Sequence, residues 1–304
     1  MVALRPGRVK AALTGYAFVA PAIVLFAVMG VYTIGYGLAL SFARWNGFTP
    51  TWSWVGFSNY LDLLYRDPVY APLVRGAAFN TLSVMIAVPV LTVLISFPLA
   101  FTMNRIRRLR TTFRTIFFLP YVTAGIAVFY AWTYVLQPDG SLNFILSHLG
   151  LGTLTQPQGF LGNPSTALPT LIVVQSWGAI PIGILLYLTG LQGIDNTVLD
   201  AAQIDGAGTT RTMTAIIWPL LRPITAAVVM LNVRDALQGF QIFLIMTNGG
   251  PGTDTTVLGL ESYTLAFNAN LGPTLGLASA LGWILFVVAL LLAAGNLRLL
   301  RSRA

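Results

Sequence analysis

Between Leu231 and Gln241 an otherwise apolar run carries Asn232, Arg234, Asp235, Gln238 and Gln241. An ionised side chain at a bilayer centre costs about 2.5–3.5 kcal/mol on insertion scales, so such a cluster demands partners or water. Carboxylates and amides accept and donate hydrogen bonds in fixed directions, which is what a polyhydroxylated solute requires. Asn232, Asp235 and Gln238 are spaced by three and form a drifting polar stripe. Arg234 and Asp235 are neighbours, about 100° apart on a helix, and do not pair along one face. A second apolar run holds Gln175, Ser176 and Trp177, and a third holds Tyr130 and Tyr134. Two roles are open to the stripe: the wall of a solute cavity, or ties from helix to helix. The aromatics can stack on a sugar ring or simply pack. Arg234 reads as half of an ion pair with another helix or subunit.

Little other chemistry is available. The absence of cysteine excludes disulfides, thiolate metal sites and a cysteine nucleophile. The single histidine, His148, falls in a predicted loop. The apolar runs contain no paired catalytic carboxylates, metal cluster or nucleophile–base set, so an embedded enzyme has no support. There is no G-x-x-x-x-G-K-[ST] phosphate loop, so the chain has no nucleotide-driven engine of its own.

The elements that must position the stripe are membrane helices. Hydrophobic residues make up 56% of the 304 and charged ones 9%, and the mean hydropathy is +0.76. Soluble domains carry about 25% charged residues. The apolar runs predict six spans, Tyr16 to Phe42, Gly76 to Met103, Ile116 to Leu136, Ala167 to Leu191, Pro223 to Thr247 and Pro273 to Asn296. The first is too long for a cleavable signal core and reads as a retained span. Internal prolines (Pro21, Pro89, Pro98 and Pro181) are tolerable where neighbouring helices satisfy the freed carbonyls. Thirteen of the seventeen Lys and Arg fall on one side of this drawing: Arg5, Arg8, Lys10, Arg105, Arg107, Arg108, Arg110, Arg114, Arg211, Arg222, Arg298, Arg301 and Arg303. Arg44, Arg66 and Arg75 fall on the other. That bias predicts cytoplasmic termini, and it assigns the net charge of +8 to the membrane rather than to nucleic acid. The run from Arg105 to Arg114 suits anionic lipid headgroups. The outer segments read as loops with short interfacial helices, and no linker divides the chain, so residues 1–304 form one domain.

The longest polar break near the middle, Leu199 to Pro223, lies on the cytoplasmic side of this drawing. Asp195 or Asn196 can cap a helix ending near Ile204. Gly206-Ala207-Gly208 permits a reversal. Thr209 or Thr210 can start a second helix that stops near Trp218-Pro219. The product is a helix–turn–helix knuckle whose small residues let another protein approach, or else a compact connection between spans.

The pattern D-A-A-x-x-D-G-A-G at Asp200 to Gly208, followed by I-x-W-P-L-L-R-P at Ile216 to Pro223, resembles the "EAA" loop of ATP-binding cassette importer permeases. Asp200 stands where that family usually has Glu, and Trp218 where it commonly has Leu. Further short motifs follow in order: S-F-A-R-W-N from Ser41, V-G-F-S-N-Y from Val55, N-T-L from Asn80, F-R-T-I-F-F-L-P-Y from Phe113, P-D-G-S-L-N from Pro138 and T-N-G-G-P from Thr247. Together they resemble the carbohydrate branch of the type I permeases, the maltose- and glycerol-phosphate-like group. The resemblance implies an all-α membrane fold of six spans and half of a translocation pore. It implies a second permease subunit, two ATP-binding cassette subunits, an extracytoplasmic sugar-binding protein and the plasma membrane. ATP and Mg would sit on the partners, with no cofactor in this chain. Asp200, Ala201, Ala202, Asp205, Gly206, Ala207, Gly208 and Pro219 would couple to the ATPase. Asn232, Asp235, Gln238, Gln175 and Trp177 are the candidates along the solute path. An importer of another polar solute, such as glycerol phosphate or a polyamine, is the neighbouring reading. A channel would need no coupling knuckle.

Overall fold

The computed structural model describes residues 6–105, 125–267 and 274–301 and is helical almost throughout. Helix α1 (Pro6–Phe26) runs through a π-helical turn (Ala27–Tyr32) into α2 (Thr33–Ser41). Then come α3 (Tyr70–Arg105), α4 (Gly125–Val135) and α5 (Pro164–Gln192). The polar break forms α6 (Asn196–Ile204) and the arm α7 (Thr209–Leu220). Helices α8 (Arg222–Gln238), α9 (Gln241–Met246), α10 (Leu258–Phe267) and α11 (Leu275–Arg301) complete the chain. Four stretches are long and apolar enough to cross a membrane: Thr14–Ser41, Tyr70–Arg105, Pro164–Gln192 and Leu275–Gly295. Helix α4 is the described part of the predicted third span, and residues 116–124 of that prediction lie outside the described residues. Pro273, the predicted start of the sixth span, does too.

The predicted fifth span, Pro223 to Thr247, is not one rod. Helix α8 ends at Gln238 because Gly239 adopts ψ 88°, outside the helical range, before α9 begins. At the other end α7 and α8 meet at 73°. The arm stops close to Trp218-Pro219, as expected, with Pro219 in its last turn and Leu220 as its last residue. The bend falls at Leu221 (φ −92°, ψ 9°), two residues after Pro219.

Helices α3 and α5 form the central pair. A Cβ on Gly183 would lie 2.7 Å from Ser96 Oγ, so the helices approach as closely as they do only because that side chain is missing. Towards the knuckle the rings of Phe97 and Tyr187 lie 5.4 Å apart, and Trp218 meets Phe97 edge-on at 5.0 Å. Tyr187 donates to Thr225 Oγ1 at 3.0 Å. The arm and both central helices thus share one aromatic cluster. Serine and threonine hydroxyls inside the spans donate to carbonyls one turn back, as Thr81 does to Ala77 and Ser176 to Ile172. In contrast, no side chain in the most apolar window of Thr14–Ser41 is buried.

The knuckle folds as its sequence dictates. Asp195 caps α6, its Oδ1 accepting from the Thr197 N–H at 2.9 Å. Gly206 takes φ +71°, and the N–H groups of Gly206 and Ala207 return to the carbonyls of Gln203 and Ala202 at 3.1 and 2.9 Å. That is a Schellman closure, and it satisfies carbonyls that a helix end would orphan. Gly208 then leads into α7.

At the bundle end away from the knuckle, short motifs distant in sequence meet as hydrogen-bonded knots. Asn59 Nδ2 donates to the carbonyls of Ser41 and Ala43, both at 2.9 Å, and Tyr60 donates to Ser41 Oγ at 2.7 Å. Asn80 Nδ2 donates to the Thr256 carbonyl and the Leu258 N–H donates to Thr81 Oγ1, both at 2.9 Å. Asn143 bridges Pro138 and Gln156.

Asn59→Ala and Asn80→Ala each leave buried carbonyls unpaired and will cost roughly 1–3 kcal/mol, while Ser83→Ala, half-buried and bonded only to the Phe79 carbonyl of its own helix, will stay within about 0.5 kcal/mol. Thermal unfolding of the detergent-purified protein measures both. The Thr197 backbone N–H, and then its hydroxyl, hold the Asp195 carboxyl below the ordinary 3.8. A depressed folded value means that the cap contributes fully above the unfolded value and is lost as pH falls through the folded one. Corrected for intrinsic rates, amide exchange in α6 will therefore be faster below pH 3 than at pH 6. In Asp195→Asn that pH dependence will vanish.

Candidate coupling surface and solute cavity

Within the knuckle, Asp200, Ala201, Asp205, Gly206 and Gly208 face outward, Ala207 and Pro219 are half-buried, and Ala202 points inward at 6% exposure. The expected surface of small residues is therefore real at Ala201 and the Gly206–Gly208 turn, whereas Ala202 is packing. One residue outside that expectation stands out: Ile204, 86% exposed at the end of α6. Its signal was an aliphatic side chain three and four residues from Ala201 and Asp200, on a polar helix face. Among the described residues neither Asp200 nor Asp205 has an ion-pair partner. Arg105, the last residue of α3, lies 4.5 Å over the Phe101 ring and donates to Thr209 Oγ1 at 3.1 Å. The knuckle is thereby tied to the end of a span across a polar void of about 470 Å³ that Asp200 and Gln203 also line.

A second cavity, of about 340 Å³, opens between α4, α5, α8 and α9. Four of the five expected solute-path residues meet in its wall: Gln175, Trp177, Asn232 and Asp235. Gln238 does not. It lies about 120° around the helix from Asn232, so the drift of a three-residue spacing carries it out of the cavity. There it accepts from Arg234 Nε at 3.4 Å and flanks a groove with Phe240 and Phe286. Arg234 has no carboxylate within 4.0 Å among the described residues, so the expected ion pair within this chain is not formed. Ser176 is buried behind the cavity. Tyr130 and Tyr134 point away and are exposed, and their neighbour Phe129 lines the wall instead. Gly125, Val128, Phe129 and Trp132 share the i, i+3, i+4, i+7 face of α4, a periodicity that could have identified Phe129.

Gln175 Oε1 is buried without a hydrogen-bond partner. Asn232 Nδ2 is committed to the Val228 carbonyl at 2.8 Å, and Asn232 Oδ1 accepts from Thr92 Oγ1 at 3.4 Å. Asn232 therefore fills both of the roles open to it, helix tie and cavity wall. Trp177 is braced edge-on by Trp132 at 5.4 Å, so its ring has a fixed orientation. Among the described residues no group of three His, Cys, Asp or Glu could hold a metal.

Residues 74–302 match the family described as "Binding-protein-dependent transport system inner membrane component". The multiple sugar-binding transport system permease protein MsmF of Streptococcus mutans is 30% identical over 90% of this chain and 90% of its own length. The trehalose/maltose transport system permease protein MalF of Thermococcus litoralis is 30% identical over 92% and 91%. A crystal structure of a bacterial ABC transporter involved in import of the acidic polysaccharide alginate contains a chain with a TM-score of 0.76, 24% identity, and coverage of 97% and 98%. The last likeness concerns the fold alone. With three quarters of its length matched, this chain belongs to the binding-protein-dependent transport system inner membrane component family.

Proposed function

We propose that the chain is the permease subunit of an ATP-driven sugar importer and forms half of its translocation path. Six spans, with both termini and the knuckle in the cytoplasm of a plasma-membrane protein, make a single domain. The basic residues support that orientation, since Arg105 and Arg211 lie at the knuckle end and Arg44 in the short hairpin beyond α2 that pairs Ala43–Arg44 with Ser53–Trp54. A second homologous permease supplies the other half, two ATP-binding cassette subunits hold ATP and Mg, and an extracytoplasmic binding protein delivers the solute. This chain performs no catalysis and carries no cofactor. The saccharide relatives support the sugar, and the cavity's amide and carboxyl groups beside a braced Trp177 suit hydroxyls and a pyranose face.

One observation carries the reading: a Schellman-closed knuckle of small residues that holds Ile204 out into water. An isolated aliphatic so exposed at the tip of a rigid reversal suits a cleft on another protein. Asp200, Ala201, Asp205, Gly206, Ala207 and Gly208 surround it, with Ala202 and Pro219 as the packing behind. ATP binding closes the ATPase pair, the docked knuckles follow, and the arm turns the central helices through Trp218.

Ile204→Asp will insert and pair with the second permease but will lose the ATPase subunits on co-purification. Ala207→Cys, in a chain with no native cysteine, will crosslink to a cysteine placed in the ATPase cleft. Normal ATPase retention by Ile204→Asp together with no crosslink would refute the docking.

A further inference from the structure

The walls of the solute cavity carry a charge bias. Asp235 is the one ionisable side chain among the described residues that line it. The neighbouring cation Arg234 lies around the helix against Gln238, forms no ion pair with Asp235 and does not line the cavity. Gln175 offers an unpaired carbonyl oxygen, while one of the two Asn232 amide hydrogens is directed at a backbone carbonyl. Hydroxyl and ammonium groups donate to such a wall. Carboxylates and phosphates accept only, and recognition of them calls for N–H donors or cations. Phe129, Val174, Ile182 and Leu231 supply much of the rest of the lining, and low-polarity walls let the field of a carboxylate reach across a cavity.

We infer that the path through this chain sorts saccharides by charge, with Asp235 as the specificity-determining residue. Neutral and amino-bearing sugars pass, and uronates and sugar phosphates are held back. This rests on the sugar-importer reading and narrows it to a substrate class. At an effective dielectric of about 20, two like charges some 6–8 Å apart repel enough to weaken binding roughly 10- to 100-fold.

The test uses the assembled importer, with both permeases and ATPase subunits in nanodiscs and no binding protein, so that the path alone discriminates. Binding is followed by calorimetry with three probes: trehalose, chitobiose with free amines, and a mannuronate disaccharide. Wild type will bind trehalose and chitobiose, and mannuronate roughly 10- to 100-fold more weakly. Asp235→Asn will narrow that gap to about threefold, weakening chitobiose and strengthening mannuronate. Asp235→Glu, which keeps the charge, will preserve the discrimination. Mannuronate binding wild type as tightly as trehalose, or an unchanged ratio in Asp235→Asn, would overturn the charge sorting and leave the sugar reading intact. If none of the three binds wild type, this inference fails, and the sugar reading fails with it only if no sugar-loaded binding protein stimulates ATP hydrolysis either.

Discussion

A polar group held away from water must find a partner or be left at a cost, and nearly every ordered feature of this chain answers that constraint. Within the spans, hydroxyls fold back onto their own helix. At the loops, single asparagines each hold carbonyls of segments far away in sequence, as Asn59 holds Ser41 and Ala43. At the knuckle, a Schellman closure ties off the end of α6. Apolar burial cannot play the same organising part in lipid, where a leucine against a neighbouring helix gains little over one against an acyl chain. The polar ties and the close approach at Gly183 therefore decide which helices meet and in what register.

Against that background the exceptions are informative. Gln175 Oε1 is buried and unpaired, and it sits in the wall of the one cavity that gathers Trp177, Asn232 and Asp235. Ser96 Oγ is the other unpaired buried atom among the described residues. It faces Gly183 at the close helix crossing. One orphan lies at a helix crossing, and the other borders the cavity. The same contrast separates the two charged neighbours in α8: Arg234 finds an amide outside the cavity, while Asp235 lines it.

Much of this was legible in the residues. Capping by Asp195, the reversal at Gly206 and the end of α6 at Ile204 follow from local chemistry that needs only a few consecutive residues, and the structure reproduces each. The cavity residues on α5 and α8 were readable because polar side chains are rare in such runs. What failed to read through was set by tertiary geometry. Gln238 shared the spacing of the stripe but not its face. Ala202 looked like surface and proved to be packing, since burial depends on what lies beneath. The break at Gly239 and the 73° bend at Leu221 are backbone choices that no hydropathy pattern records. Trp218 departs from the family's usual residue, and its contact with Phe97 gives that departure a role.

Helix α3 has 36 residues, which at 1.5 Å per residue makes a rod about 54 Å long, against a hydrocarbon thickness of about 30 Å. About three turns from its start Asn80 holds the loop at Thr256, and the helix ends where Arg105 grips the knuckle. A pivot of 10° about the midpoint of such a rod displaces each tip by about 5 Å in opposite directions. A nudge delivered on one side of the bilayer thus emerges as an antiphase swing on the other, with no helix stretching or melting in between.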